Sequence, residues 1–181
     1  MFLRKLNAWI SLATTLMLFN HAIFHAVWML SRGSIEKSAN GMPWVLFILM
    51  MLHAIISIIL AILGHKGAEK CKTNSYPKMN KATIIQRASG ISLILFSILH
   101  ISGTAGRMVP PKIIHAIFPT LFFSTAVMHV AISGSKAFIT LGIGNAKFIK
   151  IVDRVIAILC MFIFIASIIG VYLVMYARWL G

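Results

Sequence analysis

The chain has 181 residues, 60% of them hydrophobic and 11% charged, with a mean hydropathy of +0.94. That balance excludes an ordinary water-soluble domain and defines a membrane protein. The net charge of +14 falls mostly between the apolar runs, so it points to anionic lipid and docked protein rather than to nucleic acid.

The predicted fold class is all-α, one transmembrane domain over residues 1–181 with five membrane-crossing helices. Each apolar run is long enough to cross a hydrocarbon core of about 30 Å at about 1.5 Å per residue. The first run, about residues 7–31, follows Arg4 and Lys5. It is too long for the core of a secretory signal and has no small-residue cleavage site, so it is expected to stay as the first helix. The second, about 43–64, opens at Pro43, and the third, about 83–105, contains "ASGISLILFSILH" from Ala88 to His100. The fourth spans about 113–134. The fifth, about 151–176, ends near Tyr172, Tyr176, Arg178 and Trp179, which suit a membrane interface.

Polar and helix-breaking segments separate these runs: "SRGSIEKSANGMP", "HKGAEKCKTNSYPKMNK", "GRMVPPK" and "LGIGNAK". With the N-terminus inside, twelve cations lie on the inner side and five on the outer. The excess predicts a multi-pass protein of the cytoplasmic (inner) membrane, N-terminus in and C-terminus out. Cys71 and Cys160 are too few for a thiolate cluster, and no C-x-x-C-H attaches a c-type haem. The chain has no Rossmann or P-loop glycine pattern, so any flavin or iron–sulfur chemistry belongs to another polypeptide.

The chain repeats itself. "ATTLMLFNHAIFH" (Ala13–His25) matches Ala88–His100, and "PWVLFILMMLHAIIS" (Pro43–Ser57) matches "PTLFFSTAVMHVAIS" (Pro119–Ser133) in proline, phenylalanine, histidine, isoleucine and serine. Helices 1 and 2 therefore read as one hairpin, helices 3 and 4 as its copy, and helix 5 as a peripheral addition. An axis along the membrane normal relating the two would set His25 and His100 at one depth and His53 and His129 at another, roughly 10–20 Å away.

An ionisable side chain at that depth needs an internal partner or a function. A proton relay would also call for intramembrane carboxylates, but the only acids, Glu36, Glu69 and Asp153, sit at or beyond helix ends. Zinc wants a third ligand. Two haems b, each held by two imidazoles within a four-helix core, fit best. A haem-free transporter or structural subunit, with hydrogen-bonded histidines, is the alternative; another is a transmembrane haem reductase of the cytochrome b561 or ferric-reductase kind.

"QRASGISLILFSILH", Gln86 to His100, resembles the S/T-G-x-x-L…H signature in membrane anchors of succinate dehydrogenases and fumarate reductases. The closest likeness is to the single-chain, five-helix, dihaem cytochrome b type. "LATTLMLFNHAIFH" is similar to its first-helix segment, with Thr15 for the usual glycine, and "VMHVAISGSKAFITLGIG" to the region after its fourth histidine.

The resemblance implies two haems b, one ligated by His25 and His100 and the other by His53 and His129, with His21 the rival of His25. It also implies menaquinone or another quinone as substrate, and an iron–sulfur subunit with an FAD flavoprotein on the cytoplasmic face. A dimer of such complexes is a further expectation. Arg32 and Arg107 are candidate propionate partners of the outer haem, and Arg87, Lys136 and Arg154 of the inner one; the alternative for each is a snorkelling helix-end charge. Glu36 is a candidate proton acceptor from quinol, or else a loop charge paired with Lys37 or Arg32. His115 and His65 read as interfacial and loop residues. Some dihaem members carry a glutamate two residues before the fourth histidine; here that residue is Val127.

Overall fold

The computed structural model describes residues 2–31, 42–70, 81–104 and 114–180. They form five helices: α1 (Phe2–Leu30), α2 (Met42–Lys70), α3 (Lys81–Thr104), α4 (Ile114–Leu141) and α5 (Ala146–Leu180). There are no strands among the described residues, and all five helices contain a stretch long and apolar enough to cross a membrane. The protein is an all-helical, multi-pass membrane protein.

At the end of the bundle where α1 starts, every helix extends beyond its apolar run. Phe2 opens α1 where hydropathy suggests residue 7, α2 continues to Lys70, α4 to Leu141, and α5 starts at Ala146. Hydropathy marks the part that faces hydrocarbon, whereas Lys, Glu and Ala propagate a helix equally well outside it. This end presents exposed Arg4, Lys5, Lys81, Arg87, Lys147, Lys150 and Arg154, and is termed the basic end. At 35 residues, α5 is about 50 Å long and exceeds the hydrocarbon thickness.

The turn between α4 and α5 has clear local causes. Gly142, at φ 74°, closes α4 in a left-handed conformation that costs glycine little. Ile143 N–H donates to the Phe138 carbonyl at 2.9 Å and Gly142 N–H to the Ile139 carbonyl at 3.1 Å, a Schellman ending. Asn145 then caps α5, its Oδ1 accepting from Phe148 N–H at 2.9 Å.

Helices α1 to α4 form an up-and-down four-helix bundle. α1 packs on α2 and α4, α3 packs on α4, and α2 meets α3 only sparsely; among the described residues the diagonal pairs α1/α3 and α2/α4 make no backbone contact. α5 lies against α1 and α4, away from α2 and α3. Its buried stripe is Cys160, Ile163, Ser167 and Val171, spaced three and four apart as one helical face requires. Most other buried residues are small: Ala8, Ala22, Ala26, Ser89, Ser97, Ser135 and Ala137. In lipid no hydrophobic force drives helix association, so close approach at small residues supplies the packing. Leucine, isoleucine and phenylalanine instead cover the outside; Leu16, Ile91, Ile158 and Phe162 are among the most exposed.

Candidate functional site

The bundle's geometry decides which histidines can face one another. Among the described residues, helices on a diagonal make no backbone contact, so they meet only through side chains. His53 on α2 and His129 on α4 are on one such diagonal. His100 on α3 and the α1 histidines occupy the other.

His129 has the better-defined surroundings. Its Nδ1 is 3.1 Å from the Gln86 carbonyl and 3.1 Å from Ser89 Oγ, while the Ser89 hydroxyl also donates to the Gln86 carbonyl at 3.0 Å. A carbonyl only accepts, so Nδ1 carries the proton and Nε2 keeps its lone pair, the tautomer that a metal-ligating imidazole needs. The ring lies on Gly90, where an added Cβ would be 3.1 Å from His129 Cε1 and 3.4 Å from Nδ1. The glycine lets the imidazole sit flush against α3. Two turns beyond His129 on α4, Lys136 Nζ donates to Gln86 Oε1. Gln86 thus holds α4 twice, through its carbonyl and its side chain.

His53 is held differently. The Asn7 carbonyl of α1 lies beside its ring, but Nδ1 is buried with no hydrogen-bond partner among the described residues. Asn7 Nδ2 donates to Ser57 Oγ at 3.1 Å, one turn beyond His53 on α2.

Towards the far end, aromatic rings fill the gap between α1 and α3. His100 and Phe122 have centroids 5.4 Å apart, Phe122 and Phe123 are stacked at 6.2 Å, and Phe123 is 6.1 Å from His25. His21, one turn before His25 on α1, is 6.3 Å from it. The two α1 histidines share a face and both reach this level.

Among the described residues no group of three or more His, Cys, Asp or Glu converges; the imidazoles come in pairs across diagonals. Arg87 is exposed on α3 and Arg154 on α5, while Lys136 is half-buried and faces α3. Val127 is half-buried. Glu36, Arg32 and Arg107 lie outside the described residues, as do the side chains of His65 and His115.

Asn7, Ser57 and the carbonyl of Gln86 stand out in no motif of the sequence, whereas Ser89 is the serine of the S-G signature. Ser57 was within reach, since the repeat pairs it with Ser133. No known protein-family profile matches the chain, and no curated protein and no solved structure matches it either.

Proposed function

We propose that the chain is a dihaem cytochrome b that carries electrons between a membrane quinone and a soluble iron–sulfur and flavoprotein pair docked on its basic end. The observation that carries this reading is the pairing of histidines on diagonal helices at two levels. His129 supports it most directly: its proton is committed to the Gln86 carbonyl, so Nε2 is the free ligand atom.

Haem b, when bound, supplies one-electron chemistry at a potential tuned by its axial ligands and its dry surroundings. His53 and His129 would hold one such group, and His100 with His25 or His21 the other. Gly90 keeps the His129 ring close to α3, and Phe96, Phe118, Phe122 and Phe123 exclude water from the far level. Lys136, at the basic end, is the described cation best set to meet an acidic haem substituent near His129. Glu36, Arg32 and Arg107 are assigned to quinol proton release and propionate binding at the far end on the sequence resemblance alone.

By the charge bias the basic end faces the cytoplasm, where an acidic partner or anionic lipid headgroups would meet it. The second reading, a haem-free structural subunit, draws on the same His129 contacts, because they also satisfy a buried imidazole outright. A reduced-minus-oxidised spectrum of the purified protein separates the two. The expected result is a b-type signal with a haem content of about two per chain; a flat trace overturns the proposal. Co-purification of a flavin and an iron–sulfur subunit tests the anchoring role, and a cytochrome isolated without them favours a self-contained transmembrane reductase.

A further inference from the structure

The cations of α5 lie on one line. At about 100° of rotation per residue, Lys147, Lys150 and Arg154 fall within a sector of about 60°, opposite the buried stripe of Cys160, Ile163, Ser167 and Val171. All three side chains are exposed. The one acid of α5, Asp153, is about 100° round the helix from Arg154 and flanks the buried stripe instead. The start of the helix is held in place: the Phe148 ring meets Phe138 of α4 edge to face at 5.9 Å, and Gly144 gives it room, since an added Cβ would overlap the ring. With Phe148 committed to α4, Lys147 and Lys150 are left on the outward side.

The same line continues as apolar surface. Ile151, Ile158, Met161, Phe162 and Ile165 follow it along the helix, and Ile158 and Phe162 are each 68% exposed. Among the described residues α5 packs on α1 and α4 alone, so this outward face meets no other helix. From Lys147 to Arg154 is about 10 Å along the axis, and the flexible stems carry the deeper charge up to the headgroup layer. The combination selects the occupant. A soluble acidic protein would meet the charges and leave the apolar line, at membrane depth, out of reach. A second copy of the chain, related by an axis along the membrane normal, would cover the apolar line but set a like-charged trio at the same height. An anionic phospholipid satisfies both parts, because its phosphate and its acyl chains are stacked in the same order as the cations and the apolar line. We infer that the outward face of α5 holds one anionic phospholipid in the leaflet at the basic end, its phosphate on Lys147, Lys150 and Arg154 and an acyl chain along Ile158 and Phe162. The site is on the flank of the bundle, goes beyond the electron-transfer reading and needs no haem.

The test is native mass spectrometry of the full chain in mild detergent with added dioleoyl phosphatidylglycerol or, for comparison, dioleoyl phosphatidylcholine. One phosphatidylglycerol per chain is expected to stay bound under activation that strips phosphatidylcholine. Each cation removed should weaken retention about 5-fold, so Lys147→Gln with Lys150→Gln lowers it about 30-fold, whereas Lys147→Arg with Lys150→Arg keeps it. The charge-matched control is Lys81→Gln with Arg87→Gln on α3, a helix that α5 does not touch among the described residues; retention is expected to be unchanged there. Equal losses in the two glutamine pairs overturn the inference in favour of net charge alone. So does a wild type that holds both lipids equally, or a dimer that dissociates in the α5 pair while lipid retention stays the same. The acyl chain is located separately: in vesicles, the fluorescence added by Ile158→Trp is expected to be quenched more strongly by a small fraction of brominated phosphatidylglycerol than by the same fraction of brominated phosphatidylcholine, and equal quenching overturns the placement. A chain that lacks the b-type spectrum yet retains the lipid would sink the proposed function and keep this site.

Discussion

The hairpins α1–α2 and α3–α4 match in sequence at their histidines and a few neighbours, yet they hold their basic-end histidines by different means. In α3–α4, Gly90 clears a space, and the Gln86 carbonyl and Ser89 orient the His129 ring. The matching positions in α1 are Thr15 for Gly90 and Thr14 for Ser89. Thr15 has a Cβ where Gly90 has none, and Thr14 turns its hydroxyl back to the Ile10 carbonyl at 2.7 Å. The first hairpin instead recruits Asn7, more than a turn nearer the basic end, and that amide meets Ser57. The serine matching Ser57, Ser133, bonds only within its own helix, to the His129 carbonyl. Two hairpins that match in sequence can therefore each carry a histidine at the same register while differing in the groups around its ring. Depth is set by the position of the residue along the helix, and orientation by whichever neighbour has room.

Removing the rings themselves breaks the comparison most severely. If both hairpins serve one shared group at the basic end, His53→Ala and His129→Ala each lose the same haem, about half of the total, because a single remaining imidazole holds it poorly. His100→Ala loses the other. Haem content with optical spectra at low temperature reads this out, and loss of different haems in the two basic-end variants would refute the diagonal pairing. Comparing His21→Ala with His25→Ala then shows which α1 histidine pairs with His100.

Next in size is the space at Gly90. A methyl there would be 3.1 Å from His129 Cε1, so the ring must shift by a few tenths of an ångström. Crowding of this kind costs about 1–3 kcal/mol, against a gain of about 0.5–1 kcal/mol for replacing glycine in a helix. The crowding outweighs the gain, so Gly90→Ala is expected to be net destabilising in reversible unfolding from micelles and Gly90→Val more so. Thr15→Ala, which removes atoms where a Cβ is already accommodated, should change stability by no more than about 0.5 kcal/mol. Equal effects at the two positions would mean that the hairpins are packed alike after all.

The sequence made some of this visible and hid the rest for physical reasons. Five apolar runs disclosed the five helices, because hydrophobic length translates directly into the length of a membrane-crossing helix. It could not separate His21 from His25, which lie one turn apart on one face and differ only in what the neighbouring helix presents. The Gln86 carbonyl was invisible because every residue has one, and only packing selects which is used. Asn7 stood as a lone amide at the start of an apolar run, but nothing local said that it would meet Ser57. The basic-end helix extensions escaped hydropathy because backbone hydrogen bonding continues where the bilayer stops. In the Q-R-x-S-G stretch Arg87 is exposed, and it is its neighbour Gln86 that contacts α4.

The smallest expected effect is the most specific, because it compares two hydroxyls at matching positions. Ser89 Oγ reaches across to His129 on another helix, whereas Thr14 Oγ1 stays on its own. Interhelical hydrogen bonds in membrane proteins average about 0.6 kcal/mol, with a maximum near 1.7, since the separated helices also find partners for such groups. Ser89→Ala should cost about that much and leave the His129 ring freer to rotate on Gly90. Thr14→Ala should be nearly neutral, since it loses only an intrahelical bond and relieves the back-bonding that bends helices. The Gln86 carbonyl survives in Ser89→Ala, so the tautomer of His129 is expected to hold and only the ring's order to fall. A His129 tautomer that switches in this variant would show that Ser89, not the Gln86 carbonyl, fixes the proton on Nδ1.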